Sequence, residues 1–162
     1  MSKELRNALG KYATGVAIIM THHDRQNWGL TCNSFASVSL NPPLLLWSIQ
    51  KNIFSYKAYT ESNNFTVSVL SQAESDLALK FAKGTQEERF QNVELIIDPE
   101  TQIPRLKNCL VWFSCKTENK IPAGDHDIIV GNVQSFASDE NSDDSSKSLI
   151  FFNGQFGNFI AL

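Results

Sequence analysis

Hydrophobic and polar residues alternate in short runs along most of this chain, and helical spacing is confined to a few segments. Leu5, Leu9 and Tyr12 fall at helical spacing over residues 2–12, and Gly15 follows that run. Residues 16–21 are apolar and rich in β-branched side chains, His22-His-Asp-Arg-Gln-Asn27 reads as a polar turn, and residues 29–40 read as a second strand. The pair predicts a hairpin. Pro42-Pro43 ends the second run, because proline has no N–H for a strand ladder. Residues 44–49 resume as a buried strand, and Asn52 is placed to cap a short helix running to about Tyr59. Residues 65–70 then set Phe65, Val67 and Val69 on one strand face.

The segment with the strongest helix signals begins at Ser71-Gln-Ala-Glu74. This is a capping box, in which each side chain accepts a hydrogen bond from the other residue's backbone N–H. Leu77 and Phe81 follow on one face, Lys80 and Lys83 stand at the negative end of the helix dipole, and Gly84 marks the stop. A short charged stretch, Glu87-Glu-Arg-Phe90, and a loop through Pro99 and Pro104 lead to further strands at residues 109–119, 126–137 and 149–152. Residues 138–146 are polar and acidic, which suits a mobile loop rather than a linker between domains. About six strands in antiparallel order, with helices kept to the connections, predict a mainly β fold: a barrel with helical embellishment. The 162 residues contain no internal repeat and fit one domain.

Composition narrows the function classes. Hydrophobic residues make up 42% and charged residues 19%, as in ordinary globular proteins, and eleven Phe promise large buried aromatic area. Fourteen Lys and Arg against seventeen Asp and Glu give a net charge of −3, which argues against a dedicated nucleic-acid partner. No apolar run approaches the roughly 20 residues of a membrane span, and the N-terminal residues carry no apolar signal segment, so no membrane partner is expected. Cys32, Cys109 and Cys115 are odd in number and lack CxxC spacing. Cys109 and Cys115 read as lying on one strand, where they cannot pair, so free thiols and a cytoplasmic location are expected. A metal site is disfavoured: His22 and His23 would point to opposite sides of a strand, and no HxxxH or CxxC pattern occurs. An oligonucleotide-binding barrel would need a basic and aromatic stripe that the sequence lacks.

Four stretches add chemistry to this outline. They are Ala8-Leu-Gly-Lys-Tyr-Ala-Thr-Gly-Val16; Gly29-Leu-Thr-Cys-Asn-Ser-Phe-Ala-Ser-Val-Ser-Leu-Asn-Pro-Pro-Leu44; residues 65–70 with the helix ending Lys80-Phe-Ala82; and Ile121-Pro-Ala-Gly-Asp-His-Asp-Ile-Ile-Val-Gly131. As an ordered set across nearly the whole chain, they resemble the flavin reductase family. The resemblance implies an antiparallel split β-barrel of the FMN-binding type that reduces FMN, FAD or riboflavin with NADH or NADPH. It further implies a homodimer with flavin near the interface, and a partner monooxygenase that receives the reduced flavin. An FMN-binding electron-transfer or carrier protein without nicotinamide activity is the alternative on the same fold.

FMN needs donors for its phosphate, polar groups for its ribityl chain and an apolar wall for its ring. Residues 31–39 supply small hydroxyl side chains and backbone N–H groups interleaved with Phe35 and Ala36. The resemblance assigns Thr31, Asn33, Ser34, Phe35 and Ala36 to the flavin, brings Ser48, Gln50, Lys51 and Ser55 to it at the next turn, and adds Phe81, Ala82 and Lys83. Lys51 is the cation expected near phosphate, because it precedes a helix start whose free N–H groups favour anions. Gly124, Asp125 and His126 match the family's nicotinamide-side segment. There Gly124 permits a tight turn, Asp125 is expected either to orient the imidazole or to form a salt bridge that shapes the turn, and His126 is the catalytic-site residue that positions the nicotinamide. Phe156 is a further nicotinamide contact. Two positions depart from the family: a hydroxyl residue is common where Ile53 stands, and tyrosine is frequent where Phe156 stands. Hydride transfer between two rings needs no protein nucleophile, so no catalytic triad is expected.

Overall fold

Residues 17–21 are buried on both faces, and that burial organises the fold. The computed structural model describes residues 2–138 and 147–160. Helix α1 (Ser2–Leu9) and the short strand β1 (Thr14–Gly15) lead into β2 (Ala17–His23), β3 (Gln26–Cys32), β4 (Ala36–Leu40) and β5 (Pro43–Gln50). Helix α2 (Tyr56–Glu61) and β6 (Asn64–Val69) follow, then a 3-10 turn at Gln72–Glu74, α3 (Ser75–Lys83) and α4 (Gln86–Phe90). A small ribbon of β7 (Leu95–Ile97) and β8 (Pro104–Leu106) precedes the long strands β9 (Val111–Ala123) and β10 (His126–Ser138). A final hairpin pairs β11 (Leu149–Phe152) with β12 (Gln155–Asn158).

Along β2 the side chains alternate between two cores, as strand geometry requires. Ala17 and Ile19 point into the barrel with Trp47, Phe65, Val67 and Ile129. Val16, Ile18 and Met20 point to the other side, where Ala78 and Phe81 of α3 join Leu70 and Leu149. Each fully buried Ile in such a place contributes about 1.5–3 kcal/mol. Seven strands form one antiparallel sheet in the order β3-β2-β6-β9-β10-β5-β4, and β1-β11-β12 form a smaller one. The large sheet has β3 and β4 as its two edges, although they are consecutive in the chain. Residues 33–35 therefore bridge a seam at which the barrel is split.

Several local expectations are revised. The run 29–40 is two strands, because the chain leaves one edge of the sheet and enters the other. The polar segment 22–27 belongs mostly to strands: only Asp24 and Arg25 turn, both at positive φ (49° and 62°), the geometry that matches strand twist in a two-residue hairpin. His22 and Asn27 are partners across that hairpin, their side chains 2.8 Å apart, which is why the polar run extends rather than ends the strands. The helix expected after Asn52 starts at Tyr56, with Ser55 at its cap position. The capping box at Ser71 and Glu74 forms as expected. Cys109 lies ahead of β9 and in a different core from Cys115; none of the three cysteines is in a disulfide, and all are buried. The expected loop 138–146 lies outside the described residues beyond Ser138.

Gly131 shows how tightly the barrel interior is filled. A Cβ there would stand 2.4 Å from Phe65 Cζ and 3.1 Å from Cys115 Cβ. Gly131→Ala is expected to lower the unfolding free energy by about 1–3 kcal/mol, as overpacking does. Urea denaturation measures it, and Phe65→Leu in the same chain should recover part of the loss.

Candidate functional site at the barrel seam

A cleft of about 660 Å³ opens where β3 gives way to the bridge at residues 33–35. Its walls come from the end of β3, the end of β5, the connection into α2, and the α3–α4 turn opposite. The Ser34 hydroxyl fixes the bridge: it accepts from the Ser48 N–H at 2.9 Å and donates to the Ser48 carbonyl at 3.3 Å. Thr31 Oγ1 donates to the Ala78 carbonyl at 2.6 Å, tying β3 to α3. Cys32 sits beneath this corner, its Sγ 3.2 Å from Ser34 Oγ, and burial pushes its thiol pKa up, so it stays protonated.

Of the residues singled out from the sequence, Thr31, Asn33, Ser34, Ser48, Gln50, Ser55, Phe81, Ala82 and His126 line this cleft. The others stand elsewhere. Phe35 turns toward the barrel core, its ring 5.9 Å from Phe113, and Ala36 opens β4. Lys83 is exposed at the end of α3. Phe156, on β12, packs 5.6 Å from Phe151 against the second core. Gly124, at φ +67°, and Asp125 form the turn that leads to His126.

Lys51 is drawn away from the cleft by partners distant in sequence. Its Nζ donates to the Gly124 carbonyl at 2.8 Å and lies 3.3 Å from Asp127 Oδ1, so its charge is met before any phosphate arrives. The cation that does line the cleft is Arg89. Its Nε donates to the Gly84 carbonyl at 2.8 Å and its Nη1 to the Gly29 carbonyl at 2.7 Å. Burial pulls its pKa below the usual value, yet a guanidinium remains charged. Gln86 brackets Gly29 as well, through 3.2 Å bonds to its N–H and its carbonyl. Thr85, Gln86 and Arg89 were not singled out above, although Thr85-Gln-Glu-Glu88 carries a readable signal. It forms a second capping box, and its hydrogen bonds hold the Glu88 carboxyl below the usual range.

His126 lines the cleft and, on its other side, places Nδ1 2.7 Å from Asp125 Oδ1. That contact holds the exposed Asp125 carboxyl below its ordinary pKa. The lining thus combines apolar side chains (Leu30, Ile49, Ile53, Phe81) with hydroxyls, amides, one guanidinium and one imidazole, the mixture of a small-molecule site. Among the described residues no group of three or more His, Cys, Asp or Glu is placed to hold a metal ion, and no helix is long and apolar enough to cross a membrane.

An antiparallel barrel split at one seam, with a mixed cleft at the split, defines a small-molecule-binding split barrel. A family model described as "Flavin reductase like domain" matches residues 9–159, and the chain belongs to that family. The FMN reductase (NADH) SmoA of Agrobacterium fabrum is 36% identical over 158 residues, covering 98% of this chain and 86% of that protein. The reductase component of the flavin-dependent trigonelline monooxygenase of Acinetobacter baylyi is 37% identical over 137 residues; the match covers 84% of this chain and 44% of that protein's length. Among solved structures, the NADH:FAD oxidoreductase SgcE6 of Streptomyces globisporus C-1027, in complex with NAD and FAD fragments, superposes with a TM-score of 0.89. The two are 28% identical, and the match covers 98% of this chain and 93% of that one.

The cleft's donor set fits a flavin nucleotide: one guanidinium for an anion, hydroxyls and amides for a polyol, and apolar side chains for a ring. Beside it, the Tyr56 hydroxyl, and after it Lys51, hold the Asp127 carboxyl below the ordinary aspartate range against the opposing effect of burial. A carboxyl with a depressed folded pKa favours the native state above its unfolded value of about 3.9, and this contribution is lost as pH falls through the folded value. The stability difference between wild type and Asp127→Asn should therefore be constant above about pH 5 and shrink below about pH 4. Urea denaturation across that range reads it, and subtraction removes the other depressed carboxyls, Glu88, Asp98 and Asp125.

Proposed function

We propose that this protein uses NADH or NADPH to reduce FMN, with FAD and riboflavin as alternative flavins, and that the cleft at the barrel seam is where the two meet. One observation carries the reading. The Thr31–Ser34 side of the flavin signature and His126 of the Gly124-Asp-His126 turn, far apart in sequence, line the same cleft. The flavin, when bound, accepts a hydride from the nicotinamide. Arg89 supplies positive charge for the phosphate; Thr31, Asn33, Ser48 and Gln50 serve the polyol; Leu30, Ile49, Ile53 and Phe81 form the wall against the ring. His126 orients the nicotinamide by hydrogen bonding, and Asp125 holds the imidazole from behind. The protein's contribution is alignment and exclusion of water rather than covalent chemistry.

One domain carries this site. Three cysteines outside any disulfide accord with the cytoplasm. A monooxygenase that consumes reduced flavin is the partner suggested by relatives such as the trigonelline reductase component. A second copy is the other partner. Inward Leu45, Trp47 and Ile49 force Leu44 and Leu46 onto the outer face of β5, beside Val130 and Ile128 of β10, while Val38 and Leu40 on edge strand β4 are 49% and 95% exposed. An apolar face of this kind suits a homodimer interface. Phe156 is not part of the cleft's lining and packs on the second core, which favours a second reading: a flavin carrier without nicotinamide activity.

Titration with FMN should change flavin fluorescence with micromolar or tighter affinity, and anaerobic stopped-flow of the loaded protein should show flavin absorbance bleaching on mixing with NADH or NADPH. His126→Ala should slow that step or raise the nicotinamide KM by about two- to tenfold while leaving flavin affinity nearly intact. A protein that binds FMN but bleaches with neither nicotinamide is a carrier. Light scattering should report a dimer, and Leu40→Glu combined with Val38→Glu should shift it toward monomer; a stable flavin-loaded wild-type monomer removes the dimer.

A further inference from the structure

A polar cluster around one buried carboxylate stands beside the cleft and has no part in the alignment described above. Asp127 is 7% exposed and follows His126 directly on β10. Tyr56 donates its hydroxyl to Asp127 Oδ2 at 2.5 Å, and Lys51 Nζ lies 3.3 Å from Oδ1. The same Nζ donates to the Gly124 carbonyl at 2.8 Å, and the Lys51 backbone N–H donates to the Asp125 carbonyl at 2.9 Å. Two carbonyls of the histidine turn and the carboxylate at its exit are thus held by residues 51–56. That segment also sends Ile53, Phe54 and Ser55 into the cleft. A buried carboxylate is costly without partners, and an apolar plug of similar volume would often serve stability equally well. The cluster stands instead at the turn that carries the imidazole, where Asp125 is otherwise 84% exposed.

We infer that Lys51, Asp127 and Tyr56 are positioning residues for His126: together they clamp the Gly124–His126 turn to the cleft wall, so that the imidazole presents a fixed edge to the nicotinamide. The inference rests on the reading of His126 given above. Removing one arm of the clamp leaves the flavin wall in place and lets the turn move. Its signature is therefore a defect in nicotinamide use that depends on His126 being present.

The test is a double-mutant cycle on the full chain loaded with FMN, with Tyr56→Phe, Lys51→Met and Lys51→Arg each made alone and with His126→Ala. Anaerobic stopped-flow with NADH, FMN titration and thermal melting are read for every variant. Tyr56→Phe and Lys51→Met should each raise the nicotinamide KM or slow bleaching about three- to tenfold, with FMN affinity held within about twofold. Lys51→Arg should recover most of the loss, and in the His126→Ala background both effects should vanish. Equal losses in both backgrounds, or weakened FMN binding with unchanged nicotinamide use, would overturn the clamp and leave the role of His126 standing. If His126→Ala itself leaves nicotinamide use unchanged, the histidine reading fails, and the clamp with it. Should Tyr56→Phe not fold, Lys51→Met decides alone, since that side chain is 38% exposed.

Discussion

The barrel is open at one place, and the Ser34 hydroxyl is the interaction that keeps that opening in shape. Between β3 and β4 the backbone cannot continue a ladder, because these strands lie at opposite edges of the same sheet. Ser34 stands in for a missing rung by accepting from the Ser48 N–H and donating to the Ser48 carbonyl. The substitution satisfies a donor and an acceptor that the seam would otherwise leave without partners, each worth about 1–3 kcal/mol if orphaned and buried. It also sets the spacing between the bridge and β5, which is one dimension of the cleft. Sheet edges elsewhere invite association with other strands. Here the end of edge strand β3 and the bridge that follows it are turned toward a ligand-sized space instead.

The opposite wall depends on a different constraint, the absence of a side chain at Gly29. A Cβ there would stand 2.4 Å from Phe81 Cε1 and 3.0 Å from Phe90 Cζ. Phe81 and Phe90 meet edge to face at 5.3 Å, so neither can retreat without disturbing the other. Because β3 approaches so closely, its Gly29 carbonyl becomes the anchor for Gln86 and Arg89. Packing in the second core therefore decides where the guanidinium stands. The helix ends, the glycine and the cation form one unit, held in register by the Phe81–Phe90 packing together with the hydrogen bonds of Gln86 and Arg89 to Gly29.

What the sequence made legible follows the range of the interaction concerned. The apolar run at residues 44–49, alternation along 65–70, the capping box at Ser71 and the motif ending at His126 are local, and the structure contains each of those elements. The break at residues 33–35 was not legible, because small polar residues keep an alternating pattern across it while the chain changes sheet edge. Lys51 shows the same limit: beside a helix start it reads as an anion site, but its partners Gly124 and Asp127 lie on a hairpin more than seventy positions away. Phe156 reads as an aromatic contact for a ligand, and Phe151 together with the second core claims it. Arg89 escaped notice within a charged run that resembles any solvated face; only the folded position of Gly29 distinguishes it.

These placements leave an uneven charge in the cleft. Lys51 is paired with Asp127, Asp125 lies against His126, and Glu88 is spent on the cap of α4. The Lys51–Asp127 pair cancels most of its own field within a few ångströms, and salt screens what remains at the surface. Arg89 differs in kind. Its partners at Gly84 and Gly29 are carbonyl oxygens, which satisfy its donors without neutralising its charge. Among the described residues that line the cleft it is the one with a permanent formal charge, and it is partly withdrawn from water. A partly desolvated cation attracts an anion more strongly than a solvated one does. The cleft is therefore polarised, with a positive end at the α3–α4 turn and the imidazole contributed by the β9–β10 turn, which suits a ligand with an anionic tail and an uncharged ring.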